Sequence, residues 1–148
     1  MCLVLYLGSD KCRALVAWDE KAPRFHVKDD DDDAKKASTH LSKRLTYYIG
    51  SDNGCGCGFR QESDYMIDDD DEIASKADNQ KRLHDYIAEC IGDEETVELY
   101  SCWSGDEELP QELERTIDVA ELIDNEFFFS ERQRTIVVRN AAEGSAAR

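Results

Sequence analysis

The chain has 148 residues, with 34 acidic and 18 basic side chains and a formal net charge of −16 at pH 7. This length is typical of one domain, and a hydrophobic content of 41% is enough for one buried core, which argues against global disorder. The charge argues against binding to nucleic acid or to an anionic membrane, because both need clustered Lys and Arg.

The apolar run at the start of the chain is short, covering residues 2–7, and no basic residue precedes it. A secretory signal needs roughly 7–15 apolar residues behind a positive segment, and a membrane-spanning helix needs about 20. The sequence therefore predicts a cytoplasmic protein whose six cysteines are reduced thiols.

Three short strands and a helix are predicted in the first third of the chain. The apolar stretches 2–8 and 14–18 and the alternating stretch 25–27 favour strands. Five consecutive acids at 29–33 then precede a predicted helix over 34–43, since acids are favoured at the positive end of a helix dipole.

A strand and the longest helix follow. Leu45–Gly50 is rich in strand formers, and a second acidic run at 68–72 comes before the helix. Lys76 is predicted to lie off the apolar stripe of this helix, and Gly92 is placed as its C-terminal stop. The stripe consists of Ile73, Ala77, Leu83, Ile87, Cys90 and Ile91.

Further strands are predicted in the last third of the chain. Thr96–Trp103 alternates as a strand does, and residues 119–124 suit one helical turn. Residues 127–129 and 135–138 are predicted to form a closing hairpin. The small, polar stretch 140–148 is predicted to be a flexible tail.

The predicted fold class is α+β. Strands that come mostly in runs, with short turns between them, favour a mostly antiparallel sheet of about six or seven strands. We expect the two main helices to lie on one face of that sheet. Residues 1–139 are predicted to form a single domain.

A pair of cysteines flanked by glycines is the most distinctive motif, Gly-Cys-Gly-Cys-Gly-Phe at residues 54–59. In an extended segment, residues two apart point to the same side, so Cys55 and Cys57 can act on one target. Three roles remain open: two ligands of a soft-metal site, a reactive thiol pair, or two small residues in a tight loop. A metal site needs further ligands. The candidates to complete it are Cys2, Cys102, His26 and His84.

The first functional hypothesis is a thiolate site of Cys55 and Cys57, joined by Cys102 or Cys2, that binds zinc or iron or cycles its redox state. It predicts that the Cys102 or Cys2 sulfur lies within about 4 Å of the pair, the separation of thiolates that share one ion. The motif assigns no catalytic residue and leaves open whether the protein is an enzyme.

Several segments together resemble a small family of uncharacterised bacterial proteins. They are Met1-Cys2, the Tyr-Tyr-Ile-Gly-Ser stretch at 47–51, the cysteine loop at 54–59 and the stretch 98–106. The resemblance covers about a fifth of the chain and implies no reaction.

The alternative hypothesis is a non-enzymatic acidic module, similar to an immunity protein or an inhibitor, that binds a basic partner. Its basis is the charge concentrated at 29–33 and 68–72. Both acidic runs precede predicted helices, where acids are locally stabilising, so the charge has a structural explanation as well.

Overall fold

The computed structural model of the protein describes residues 2–29, 31–61, 64 and 69–139. The predicted tail at 140–148 lies outside this range, as do Met1, Asp30 and Asp68 of the predicted motifs. Within the described residues, no helix combines the length and the apolar character that crossing a bilayer requires.

One six-stranded sheet organises the structure, in the strand order β2-β3-β1-β4-β6-β5. The strands are β1 (Leu3–Ser9), β2 (His26–Lys28), β3 (Leu45–Gly50), β4 (Thr96–Trp103), β5 (Leu113–Asp118) and β6 (Gln133–Val138). Neighbouring strands are antiparallel except β5 and β6, which are parallel. The predicted α+β class with a mostly antiparallel sheet is confirmed.

Two α-helices cover the sheet, α1 (Asp32–Ala37) and the long α2 (Asp70–Asp93). The three leucines of β1 pack in a core cluster that includes Leu83 of α2. The alternate β1 residues Val4 and Tyr6 pack in a second cluster, together with Ala34 and Ala37 of α1. Since successive strand residues point to opposite faces, the helices lie on opposite faces of the sheet. The expectation of both helices on one face was wrong.

Acidic residues begin both helices, as the sequence predicts. The Asp31 carboxylate caps α1 by accepting the Ala34 N–H at 3.0 Å. The Asp69 carboxylate caps α2, accepting the N–H groups of Asp71 at 2.8 Å and Glu72 at 3.2 Å. These bonds satisfy donors that a helix start otherwise leaves without a partner.

Removing the cap of α2 tests this role. Asp69→Ala is expected to lower the free energy of unfolding by about 1 kcal/mol, the usual cost of losing a side-chain cap. Asp70→Ala keeps the cap and should cost less, and urea unfolding followed by circular dichroism measures both. Equal losses in the two variants would contradict a specific role for Asp69.

Two predictions in the first third of the chain were wrong. The stretch 14–18 is not a strand, because its only ladder contact is an isolated bridge between Val16 and Val27, and Trp18 is 40% exposed. The helix predicted over 34–43 begins earlier and ends at Ala37, followed by a 3-10 turn at Ser38–His40.

The long helix differs from its prediction in two ways. It continues through Gly92 to Asp93, so that glycine does not end it. Ile73 of the predicted stripe is 48% exposed, whereas Lys76 is buried and its ammonium donates to Asp64 at 2.7 Å and to the Phe59 carbonyl at 3.2 Å. A satisfied ammonium on a long alkyl stem explains why a lysine lies on the buried side.

The prediction of a closing hairpin was also wrong. Residues 127–129 form no strand, and their one ladder contact is an isolated bridge between Phe129 and Gln61. β6 instead pairs with β4 and with β5, a strand that was not predicted from the sequence. Because β5 lies at the sheet edge with mostly exposed residues, it lacks the apolar pattern of a buried strand.

Candidate metal centre

Three cysteine sulfurs meet where β1 begins and β3 ends. The Sγ atoms of Cys2, Cys55 and Cys57 all lie within 4.8 Å of one another. The strand register explains the meeting: β1 and β3 are antiparallel with Leu5 opposite Ile49, so the start of β1 lies beside the loop that follows β3. This arrangement could hold a metal ion.

Ser51 fixes the loop that carries two of the sulfurs. Its N–H and its hydroxyl both donate to the Cys55 carbonyl, at 2.8 and 2.6 Å. Its Oγ also accepts the Gly58 N–H at 3.0 Å. The Tyr48 hydroxyl donates to the Gly54 carbonyl at 2.7 Å. These bonds hold the backbone on both sides of Cys55 and Cys57, so the loop presents its two sulfurs as a fixed pair.

The third sulfur, that of Cys2, comes from a separate segment, which has its own backbone hydrogen bond. Cys2 is the residue before β1, and its carbonyl accepts the Ser104 N–H at 2.7 Å. Its side chain is exposed, whereas those of Cys55 and Cys57 are half-buried. The three sulfurs therefore form a group with the loop on one side and solvent on the side of Cys2.

Backbone N–H groups point at two of the sulfurs. Leu3 N–H donates to Cys57 Sγ at 3.2 Å, and Cys57 N–H donates to Cys55 Sγ at 3.5 Å. Such donors stabilise negative charge on sulfur, whether it is a free thiolate or a metal ligand. Two of the three prospective ligands thus have the supporting contacts that metal sites usually have.

Burial raises the pKa of the Cys55 thiol to about 12, and its hydrogen bonds with the side chains of Cys57 and Cys2 act in the same direction. The thiol therefore carries its proton at neutral pH. A metal ion that binds Cys55 as thiolate must displace that proton.

Gly56 packs directly against β1. A Cβ at this position would lie 2.9 Å from the Leu3 carbonyl oxygen, a backbone atom that cannot rotate away. Glycine at 56 therefore allows the loop to approach Cys2 closely.

A pair of glycine variants tests this packing. Gly56→Ala is expected to lower the free energy of unfolding by about 1–3 kcal/mol, because it forces the loop away from β1. Gly92→Ala, in the last turn of α2 with no atom within 4 Å of the added methyl group apart from the adjacent helix backbone, is expected to raise it by about 0.5–1 kcal/mol. Urea unfolding measures both values. Stability unchanged by Gly56→Ala would show that the loop does not pack as described.

The other proposed ligands lie elsewhere. Cys102 is fully buried in the cluster that contains α1, and among the described residues the sulfur group does not include it. His26 and His84 are also outside the group. His26 packs edge-on against Trp18, with ring centroids 4.7 Å apart, and His84 Nδ1 contacts Asp85 at 3.0 Å. Of the two cysteines expected to approach the pair within about 4 Å, Cys2 lies within 4.8 Å of it, and Cys102 is not in the group.

Sequence reasoning missed the residues that support the loop. Asn79 of α2 is buried and its amide donates to Asp52 at 2.9 Å and to the Gly58 carbonyl at 3.3 Å. The Ser75 hydroxyl also donates to Asp52, at 2.9 Å. The signal in the sequence was a polar residue inside an amphipathic helix at a position that faces the core. That pattern indicates a buried polar contact but does not identify its partner.

Comparisons of the chain with protein-family models, with curated proteins and with solved structures found no match. The evidence for function is the geometry and chemistry of the sulfur group.

Proposed function

We propose that the protein binds one soft transition-metal ion, zinc or iron, through the thiolates of Cys2, Cys55 and Cys57. The observation that carries the proposal is the approach of the three Sγ atoms to within 4.8 Å of one another. Thiolates that share one ion at roughly 2.3 Å lie about 3.8 Å apart in tetrahedral geometry. Small rotations of the side chains close the remaining difference.

The ligand type selects the class of metal. All three members of the group are sulfur donors. Thiolates favour zinc, iron and other soft or borderline ions, whereas Ca²⁺ and Mg²⁺ require oxygen ligands. The N–H donors to Cys57 Sγ and Cys55 Sγ support the same class, because they offset the charge of bound thiolates.

A thiol redox pair is the other chemistry open to these cysteines. The attacking group in thiol–disulfide exchange is a thiolate, which a low pKa makes abundant. The pKa of Cys55 is raised, so its thiol is a poor attacking group at neutral pH. A thiol redox pair also uses two sulfurs, whereas three lie together here, so the geometry favours metal binding.

Metal analysis with thiol counting tests the proposal. Protein purified without chelator is expected to contain one zinc or iron ion per chain, and chelation should expose three additional thiols of the six to a thiol reagent. Cobalt added to the metal-free chain should give sulfur-to-cobalt charge-transfer absorption. A chain that takes up none of these ions, with unchanged thiol reactivity after chelation, would contradict the proposal.

Tryptophan fluorescence gives an independent signal. A Cβ at Gly54 would lie 3.8 Å from the Trp18 ring, and Trp103 pairs with Leu3 beside Cys2. Both tryptophans of the chain thus contact the segments that carry the sulfurs. Titration with zinc is expected to change the emission until one equivalent has been added.

A further inference from the structure

The sulfur group supplies three ligands, one fewer than zinc or iron takes in a tetrahedral thiolate site. No fourth His, Cys, Asp or Glu of the described residues belongs to the group. A bound ion would therefore have one coordination position that no described residue fills.

The position of the three residues determines where that ligand enters. Cys55 and Cys57 are half-buried in the fixed loop, and Cys2 is exposed. The loop therefore covers one side of a bound ion and leaves the side of Cys2 to solvent. Among the described residues, the side of Cys2 is therefore where an external ligand would approach.

We propose that this position takes an external thiol, bound as thiolate; the inference rests on the proposed metal site. Three thiolates around a divalent ion leave a net charge of −1, which disfavours acidification of a bound water. Zinc sites that activate water use mainly neutral histidine ligands. A centre of three sulfurs instead prefers a further soft ligand.

The step is a ligand exchange and balances without an oxidant or a reductant. The metal–oxygen bond to a bound water breaks, a metal–sulfur bond to the incoming thiol forms, and the thiol proton goes to solvent. No electron leaves the metal. The backbone donors of Leu3 and Cys57, already directed at two of the sulfurs, partly offset the added negative charge.

The external thiolate has two sources, a small thiol or a cysteine of another chain. Within this protein Cys12 is an exposed cysteine outside the sulfur group, so a second copy can supply it. Binding of a small thiol would depend on the concentration of that thiol. Binding of a cysteine from a second copy would depend on the protein concentration.

The test uses the full chain loaded with cobalt in a phosphine reductant that contains no thiol. Adding 2-mercaptoethanol is expected to raise the sulfur-to-cobalt charge-transfer absorption by about one third, as four thiolates replace three. Ethylene glycol, which has oxygen in place of the sulfur, should leave the spectrum unchanged. The Cys12→Ser variant should respond to 2-mercaptoethanol as the parent does.

If the absorption rises with protein concentration alone, and Cys12→Ser removes that rise, the thiolate comes from a second copy and the inference holds. An unchanged spectrum of the Cys12→Ser variant over millimolar 2-mercaptoethanol, or removal of the cobalt by the thiol, overturns it while the metal site itself stands. Failure of cobalt to bind at all overturns the proposed function instead.

Discussion

The Cys55→Ser variant is expected to bind zinc at least about 100-fold more weakly than the parent chain, since losing even a residue that only supports a metal ligand costs 10–100-fold. A serine hydroxyl is neutral and hard, so it does not replace the thiolate. Cys55 is also hydrogen-bonded to both of the other prospective ligands. Competition titration with a zinc chelator measures the affinity.

The matched control for this variant is Cys12→Ser. Cys12 is exposed, and it does not belong to the sulfur group. With 2-mercaptoethanol present to supply any fourth thiolate, its replacement is expected to leave zinc affinity within about twofold, with stability unchanged because surface substitutions have small effects. Equal zinc affinities in the Cys55→Ser and parent chains would remove Cys55 from the site.

A second large effect is expected at the other end of β1, from Glu94→Gln. The Glu94 side chain is only 7% exposed, and it contacts Arg13 at 2.5 Å and Lys43 at 3.2 Å. It also accepts the Ser9 hydroxyl at 2.6 Å. At pH 7, Glu94→Gln is expected to lower the free energy of unfolding by about 2–3 kcal/mol, because it leaves the buried Arg13 guanidinium with only the exposed Asp93 carboxylate as its anion.

The pH dependence of this loss has a defined sign. Burial by itself raises the pKa of Glu94, but the hydrogen bonds from Ser9, Asp10, Arg13 and Lys43 outweigh it and lower the pKa to about 2. The carboxylate therefore contributes stability that is fully present above the unfolded pKa near 4.5 and is lost as the pH falls towards 2.

Urea unfolding of parent and variant between pH 7 and pH 2 checks both statements. The difference in the free energy of unfolding should stay constant above about pH 5 and shrink below it. Glu95→Gln, at the exposed neighbouring residue, is the control and should change stability by less than about 0.5 kcal/mol. A difference between parent and Glu94→Gln that does not depend on pH would contradict the described ion cluster.

The parts of the fold that sequence reasoning predicted are those with strong local patterns. Leu45–Gly50 and Thr96–Trp103 are strands with the expected bounds, because both are rich in β-branched and aromatic residues. The helical turn predicted at 119–124 is the 3-10 turn Val119–Ile123.

The errors come from contacts between distant segments. The polar strand β5 forms because it pairs in parallel with β6, and the residues of the stretch 113–118 do not indicate that pairing. The bridging segment 14–18 is apolar without being paired as a strand, since Trp18 packs on the His26 ring instead. Local patterns do not encode such tertiary pairings.

The candidate site also has one part that the sequence pattern predicts and one part that depends on contacts between distant segments. The pair Cys55 and Cys57 stands out in the sequence, because glycines flank both residues. The choice of Cys2 over Cys102 depends on the register of β1 against β3 and on which face of β4 a residue occupies. A shift of that register by one residue would turn each side chain of the strand to the other face, so the choice required the paired sheet.

The strand β1 joins two groups of very different character. The sulfur group lies at its start, and the ion cluster of Glu94 begins at Ser9, its last residue. Seven extended residues span about 20 Å, further than energetic coupling between separate sites usually extends. In a double-mutant cycle, the stability changes of Cys55→Ser and Glu94→Gln should therefore add. Either site can be engineered without correcting for the other.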